Sequence, residues 1–232
     1  MKRLLFLSVC TLWHMAGFGQ TTLGYHLKKG EVFKVKQMAE QIITQELDGT
    51  SHVITNQIDG VLEFKVLGEV AEGYEIALTF KDLNLIMTSS LQGELMNVRA
   101  TEVVEGDMQS KIFNTILNNP VKMVLAKTGD ILRVSGGDSL VNKMTDASGL
   151  EDEFSINLMK RSLSKEFGSE ALSNSYKQMT FIYPDKKVKV NDQWENAYTG
   201  KLRTANIWTL KGITDHRTTI TGKATVIMDI KD

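Results

Sequence analysis

Gly137-Asp138-Ser139-Leu140 is the segment whose residue types come nearest to nucleophilic chemistry. A serine hydroxyl on a tight turn between an apolar strand (residues 131–134) and a helix could attack an ester carbonyl. A histidine would have to take its proton, and a carboxylate would have to orient that histidine. The candidate partners are poorly spaced. Asp215 directly precedes His216, and Ile213 stands where an orienting aspartate three residues before the histidine belongs. The competing reading is structural: a glycine turn followed by a helix capped by Asp138 or Ser139.

The four-residue block resembles the nucleophile block of the GDSL-type esterases, which implies Ser139 as nucleophile. A second block of that group needs glycine ahead of Asn191-Asp192, where this chain has Lys189. The four histidines are His14, His26, His52 and His216. None has a second histidine or a cysteine at metal-ligand spacing, so turn or solvent-facing positions are expected and no metal ligand is assigned. Gly222-Lys223 does not make a phosphate loop: Ala224 follows where Ser or Thr is needed, and Arg217 replaces the earlier glycine. The acidic stretch 146–153 lacks alternating oxygen ligands and reads as a helix start, not a calcium loop. No catalytic residue, cofactor site or cofactor is assigned.

Charge and composition narrow the classes further. The 232 residues carry 27 Lys and Arg against 28 Asp and Glu, so there is no broad basic field for nucleic acid. Lys2 and Arg3, a mostly apolar run over residues 4–15 and the small residues Gly17 and Gly19 form the layout of a secretory signal peptide cleaved near Gln20. Its apolar run is too short to span a bilayer, and no later run reaches a transmembrane length. A lipid anchor on Cys10 is the lesser reading, because Val9 is bulky where such a site needs a small residue. Loss of Lys2 and Arg3 leaves 25 basic against 28 acidic residues, a net charge of −3. It also removes Cys10, the sole cysteine, so the exported chain has neither thiol nor disulfide and holds itself by packing.

Alternation places the elements. In residues 31–47, Phe33, Val35, Ala39, Ile43 and Leu47 share one parity, a half-buried strand, and Asp48-Gly49 is a hairpin turn. Ile54, Ile58, Leu62, Phe64 and Val66 share a face of the return strand, with Gly60 as a candidate bend. After Ala71-Glu72-Gly73, the inward parity runs from Tyr74 to Phe80 and switches near Asp82, which predicts a bulge. Residues 91–104 read as a weaker fourth strand. The spacing then becomes helical from an Asp107 cap through Ile116 and Leu117, ended by Asn118-Asn119-Pro120. A hairpin follows over residues 121–135, then a short helix with Leu140, Val141 and Met144. Residues 151–176 are helical, with Phe154, Leu158 and Met159 on one stripe and a restart at Gly168-Ser169. Strands return at about 193–201, 206–211 and 218–230. Nine of the 11 methionines follow the leader, and Met38, Met87, Met123 and Met159 fall on inward parities. Such residues fill gaps in a curved core or line surfaces that accept varied apolar ligands. One internal echo links residues 29–33 to 190–194: a turn residue, an acid and an aromatic open a sheet segment in both.

With these segments placed, the chain resembles a family of exported proteins common in the Bacteroidetes. The residues that carry the likeness are 25–33, the Gly-Asp hairpin at 125–134, and the stretch from Tyr183-Pro184-Asp185 to Asp192-Gln193-Trp194. Asn191 replaces the usual glycine. The family has no assigned activity, so the resemblance transfers no functional residue. It implies a chain that continues past the strand-like 226–230, hence a truncated end.

The expected protein is a signal peptide at 1–20 followed by one α+β domain at 21–232. That domain is a curved, mainly antiparallel, half-barrel-like sheet with a central helical insert at about 107–180. The shape is similar to periplasmic lipoprotein carriers at the level of fold. The expected role is that of an exported, periplasmic or extracellular, non-catalytic envelope protein that binds an apolar small molecule or lipid, or an envelope protein partner. The alternatives are an esterase using Ser139, and a structural or adhesive envelope component acting through its sheet edges.

Overall fold

The computed structural model describes residues 19–198 and 203–227. The export segment, at residues 1–18, and the ends of two predicted strands, at 199–201 and 228–230, lie outside the described residues. The chain divides into two compact units. One is Tyr25–Phe181; the other joins the stretch ending at Gly24 to the chain from Ile182 onward.

The larger unit is an antiparallel sheet with four helices. β1 (Val32–Leu47), β2 (Thr50–Val70) and β3 (Gly73–Ser89) form a long meander. β3 is central. Along its far side it pairs first with β5 (Val121–Leu125) and then with β4 (Gly93–Arg99), and β6 (Ile131–Ser135) lies beyond β5. The sheet is open, and bulges bend it. One falls where Val61 pairs Asp82 but Leu62 pairs Phe80, so Lys81 is the extra residue that switches the inward parity, as the alternation predicts. Gly60 stands beside it because a Cβ there would lie 2.6 Å from the Asp82 carbonyl oxygen.

The insert contains α1 (Met108–Asn114), α2 (Gly137–Asp146), α3 (Glu153–Phe167) and α4 (Ser169–Thr180). Asp107 caps α1, accepting from the Gln109 and Ser110 amides at 2.9 and 3.2 Å. Asp152 caps α3 through the Ser155 amide at 2.8 Å, and that hydrogen bond holds its carboxyl below the usual range. Three expectations are corrected here. α1 ends at Asn114, and Ile116 and Leu117 continue in tighter turns bonded three residues back. α2 is capped by Gly136, not by Asp138 or Ser139: a left-handed φ of 96° turns the chain so sharply that Gly137 already opens the helix. Asp138 sits in the first turn, where it suits the helix dipole. On α3, Met159, Leu163 and Phe167 face the core while Phe154 and Leu158 point to solvent at 78% and 59% exposure. The helix touches the core along one narrow row, and those two lie on a different row.

The core lies between the sheet's inner face and the helices. Leu78, Ile116, Met123 and Met144 are completely buried in it, and Phe167 meets both Phe80 and Phe113 edge-to-face. Tyr176 packs edge-to-face on Phe64 at 5.9 Å, and burial raises its phenol well above the ordinary value near 10. Below about pH 10 the phenol is protonated in both folded and unfolded chains. Above it the unfolded chain ionises first, so stability falls as pH rises. Urea unfolding at pH 9 and pH 11 is expected to show a larger alkaline loss in the native protein than in Tyr176→Phe.

The smaller unit is a three-stranded meander, β7 (Gln193–Tyr198), β8 (Arg203–Thr214) and β9 (Arg217–Ile227), over Val188, Trp194 and Leu210. It repeats the chemistry of β1–β3. At the start of β1, the Lys28 amide donates to the Glu31 carboxylate at 2.8 Å and the Glu31 amide to the Lys28 carbonyl at 3.1 Å. Gly30 donates to the Val66 carbonyl and Val66 to the Glu31 carbonyl, both at 2.9 Å. At the start of β7 the same four bonds join Lys189, Asn191, Asp192 and Leu210, at 2.8 to 3.1 Å. Gly30 and Asn191 take matching left-handed φ values of 90° and 76°. The bulges match as well, between Val66 and Gly68 and between Leu210 and Gly212. The faint echo in the sequence is thus a structural repeat of turn, strand pair and bulge.

Candidate functional site

Ser139 lies exposed in the first turn of α2, and the Ser169 hydroxyl donates to the carboxylate of its neighbour Asp138 at 3.3 Å. His216 lies exposed in the β8–β9 turn, in the other unit. His26 is exposed ahead of β1. Among the described residues, no three His, Cys, Asp or Glu side chains gather as a metal cluster.

A serine–histidine pair does form where sequence reasoning did not look. His52 Nε2 lies 3.0 Å from Ser89 Oγ, and Ser89 is 7% exposed. Two facts define its chemistry. Ser89 Oγ accepts the Leu91 and Gln92 amides, both at 3.2 Å, so it stabilises the β3–β4 turn. His52 Nε2 completes the contacts of that oxygen, and His52 Nδ1 is a buried atom with no protein partner among the described residues. A nucleophile needs a free lone pair and an approach path, and this hydroxyl has its oxygen engaged and buried. The pairing spans 37 residues between strands, and no local signal reveals it.

The feature with the larger surface is the far half of the sheet's inner face. Register places Ile43 opposite Ile54, Ala39 opposite Ile58 and Leu85 opposite Val98, with Met87 opposite Met96. Directly paired residues share a face. This is the face that buries Leu83, Phe80 and Leu62 nearer the helices. Leu85 still touches the core, but Ile43, Ile54, Ile58, Met87 and Met96 are not packed against it. They form a partly exposed apolar strip beyond the helical layer, crossed by one polar pair, Asn56 to Gln41 at 3.3 Å. Met87 and Met123 lie on the inward face as their parity predicts, and Met159 packs on the core. Met38 is a correction: it is 82% exposed, because it alternates with the inward set and lies on an edge strand. The same edge position leaves Phe33 and Ala39 more exposed than a half-buried strand would. A separate small cleft, of about 210 Å³, lies between β4 and α1 beside Arg99, Glu102 and Asp107. It falls short of the several hundred Å³ usual for small-molecule sites.

Comparison with curated proteins and with solved structures gives no match. A family model does match, over residues 71–232, from the β2–β3 turn onward. By that match, which takes in the central strand, the whole helical insert and the second meander, the chain belongs to a family of unknown function, DUF6263.

Proposed function

We propose that the protein is an exported, non-catalytic envelope protein that binds an apolar ligand on the strip formed by Ile43, Ile54, Ile58, Leu85, Met87 and Met96. The observation that carries this reading is that, among the described residues, Ile43, Ile54, Ile58, Met87 and Met96 of an otherwise core-forming face are not packed against the helical core. Long strands that outrun their helical layer leave apolar surface in water, which is costly unless something occupies it. Two methionines facing each other suit a ligand of variable shape. The leader-like first 20 residues support export, and the fold-level similarity to lipoprotein carriers suits an acyl-type ligand.

The test is solvent extraction of the purified protein followed by mass spectrometry, with titration of an apolar dye such as Nile red. The expected result is a co-purifying apolar compound and dye binding that Met87→Glu weakens about tenfold or more, as a buried charge would. Neither co-purifying compound nor dye binding would overturn the reading. Retained binding in a folded Met87→Glu protein would move the site elsewhere.

A further inference from the structure

We propose that the outer edge of β1 joins two copies of this chain, antiparallel, about a two-fold axis at Met38. β1 is the terminal strand of the larger sheet and pairs with β2 without a register shift from Val32↔Lys65 to Leu47↔Thr50. It contains no proline or bulge, two of the devices that blunt an edge; a third, charge, is present as Lys34 and Lys36. The opposite edge, β6, has only 5 residues against 16 in β1. A long, straight edge of this kind is a template for another strand.

Backbone parity says which groups face outward. Asp48 and Gly49, with φ of 49° and 74°, make the two-residue turn in which the Leu47 carbonyl accepts from Thr50. Hydrogen-bonded pairs then alternate along the ladder, so odd-numbered residues of β1 bond to β2. The far end agrees, since Val66 donates to the Glu31 carbonyl. Lys34, Lys36, Met38, Glu40, Ile42 and Thr44 therefore direct their amides and carbonyls away from the sheet.

The side chains of this edge complement themselves. Lysines occupy its first half and glutamates its second. With the axis at Met38, Lys36 of each copy faces Glu40 of the other, Lys34 faces Ile42 and Phe33 faces Ile43. No like charges stand opposite each other. Met38, 82% exposed in one copy, meets Met38 of the other, and Ile42, 64% exposed, is covered by a lysine stem. Lys36 has no ion pair among the described residues, and Glu40 has only the Gln57 amide at 2.9 Å. An axis at Glu40 would oppose that carboxylate to itself. An axis at Gln41 would leave Met38 against Thr44.

The test uses the chain carrying Cys10→Ser, which has no other thiol. Met38→Cys then places two thiols at a hydrogen-bonded pair, with Cα atoms about 5.5 Å apart, within disulfide reach. The expected result is efficient intermolecular disulfide formation at Met38→Cys and little at Gln37→Cys, Gln41→Cys or Gln45→Cys. Light scattering should show a dimer. Lys36→Glu should raise its dissociation constant about tenfold or more, since two cross-strand pairs turn repulsive. Lys36→Glu combined with Glu40→Lys should restore it. A monomer at all concentrations, equal cross-linking at the other positions, or no rescue by the charge swap would overturn the proposal.

Discussion

Gly129→Ala is expected to destabilise the larger unit by roughly 3 kcal/mol or more, from a left-handed backbone penalty together with a steric overlap and lost, partly buried hydrogen bonds. Gly129 lies in the β5–β6 turn with a φ of 93°, and a Cβ there would overlap the Thr180 carbonyl oxygen. That carbonyl is the acceptor for the Tyr25 hydroxyl at 3.1 Å, and the Thr180 hydroxyl donates back to the Gly129 carbonyl at 2.7 Å. Lys177 Nζ lies 2.7 Å from Asp130 Oδ1 at the same junction, an ion pair outside hydrogen-bond alignment. The turn, the end of α4 and the start of the unit thus meet at a point where no side chain fits. Gly49→Ala is the matched control: its φ is 74°, but nothing lies within 4 Å of its added Cβ. It should lose only the backbone penalty of about 1–2 kcal/mol. Urea unfolding followed at 222 nm reports on this unit, because all four described helices belong to it. Equal losses in the two variants would show that the Gly129 junction can open freely.

Leu78→Ala is expected to cost about 2–5 kcal/mol, the range for emptying a fully buried aliphatic site. Leu78 is 0% exposed on central strand β3, between Phe64 of β2 and Val121 of β5. With sheet neighbours on both sides and helices above, little can move into the vacated space. Leu132→Ala on β6, 47% exposed, should change stability by no more than about 0.5 kcal/mol. The same unfolding measurement compares the two, and a Leu78→Ala loss below 1 kcal/mol would mean that this core relaxes far more than close packing allows.

Much of the fold was legible because its signals are local. The Asp48-Gly49 turn, the Asp107 cap and the Gly168 break each depend on the conformational preference of one or two residues. The parity switch near Asp82 announced its bulge because alternation must fail wherever a residue is added to one strand. The turn echo was also local, and its hydrogen bonds make a repeat of what looked like chance. The errors share a different cause. Met38 was read inward although it alternates with Phe33, Val35 and Ala39, and Phe154 and Leu158 because they are apolar, yet exposure depends on how many neighbours an element has. β1 has one neighbouring strand, and α3 meets the core along one row.

The candidate sites divide in the same way. Ser139 was conspicuous as a short motif, but the structure gives it an exposed helix start and places His216 in the other unit. The His52–Ser89 pair was invisible because two strands bring it together across 37 residues. The apolar strip could be read as alternation. Which half of that face the helices cover could not, since cover is a contact between distant segments.

The sequence by itself determined an α+β chain of antiparallel strands with a helical insert, where it turns, where α1 and α4 start and which residues of β2 and β3 share the inner face. These follow from backbone preferences and from periods of two or 3.6 residues, which neighbours in sequence impose. Only the tertiary structure decided that the chain packs as two units with repeated turn chemistry. It also decided that, among the described residues, β1 ends the larger sheet and part of an apolar face lies outside the packed core. Those outcomes depend on strand order and on where helices land, contacts between segments far apart that no local period encodes.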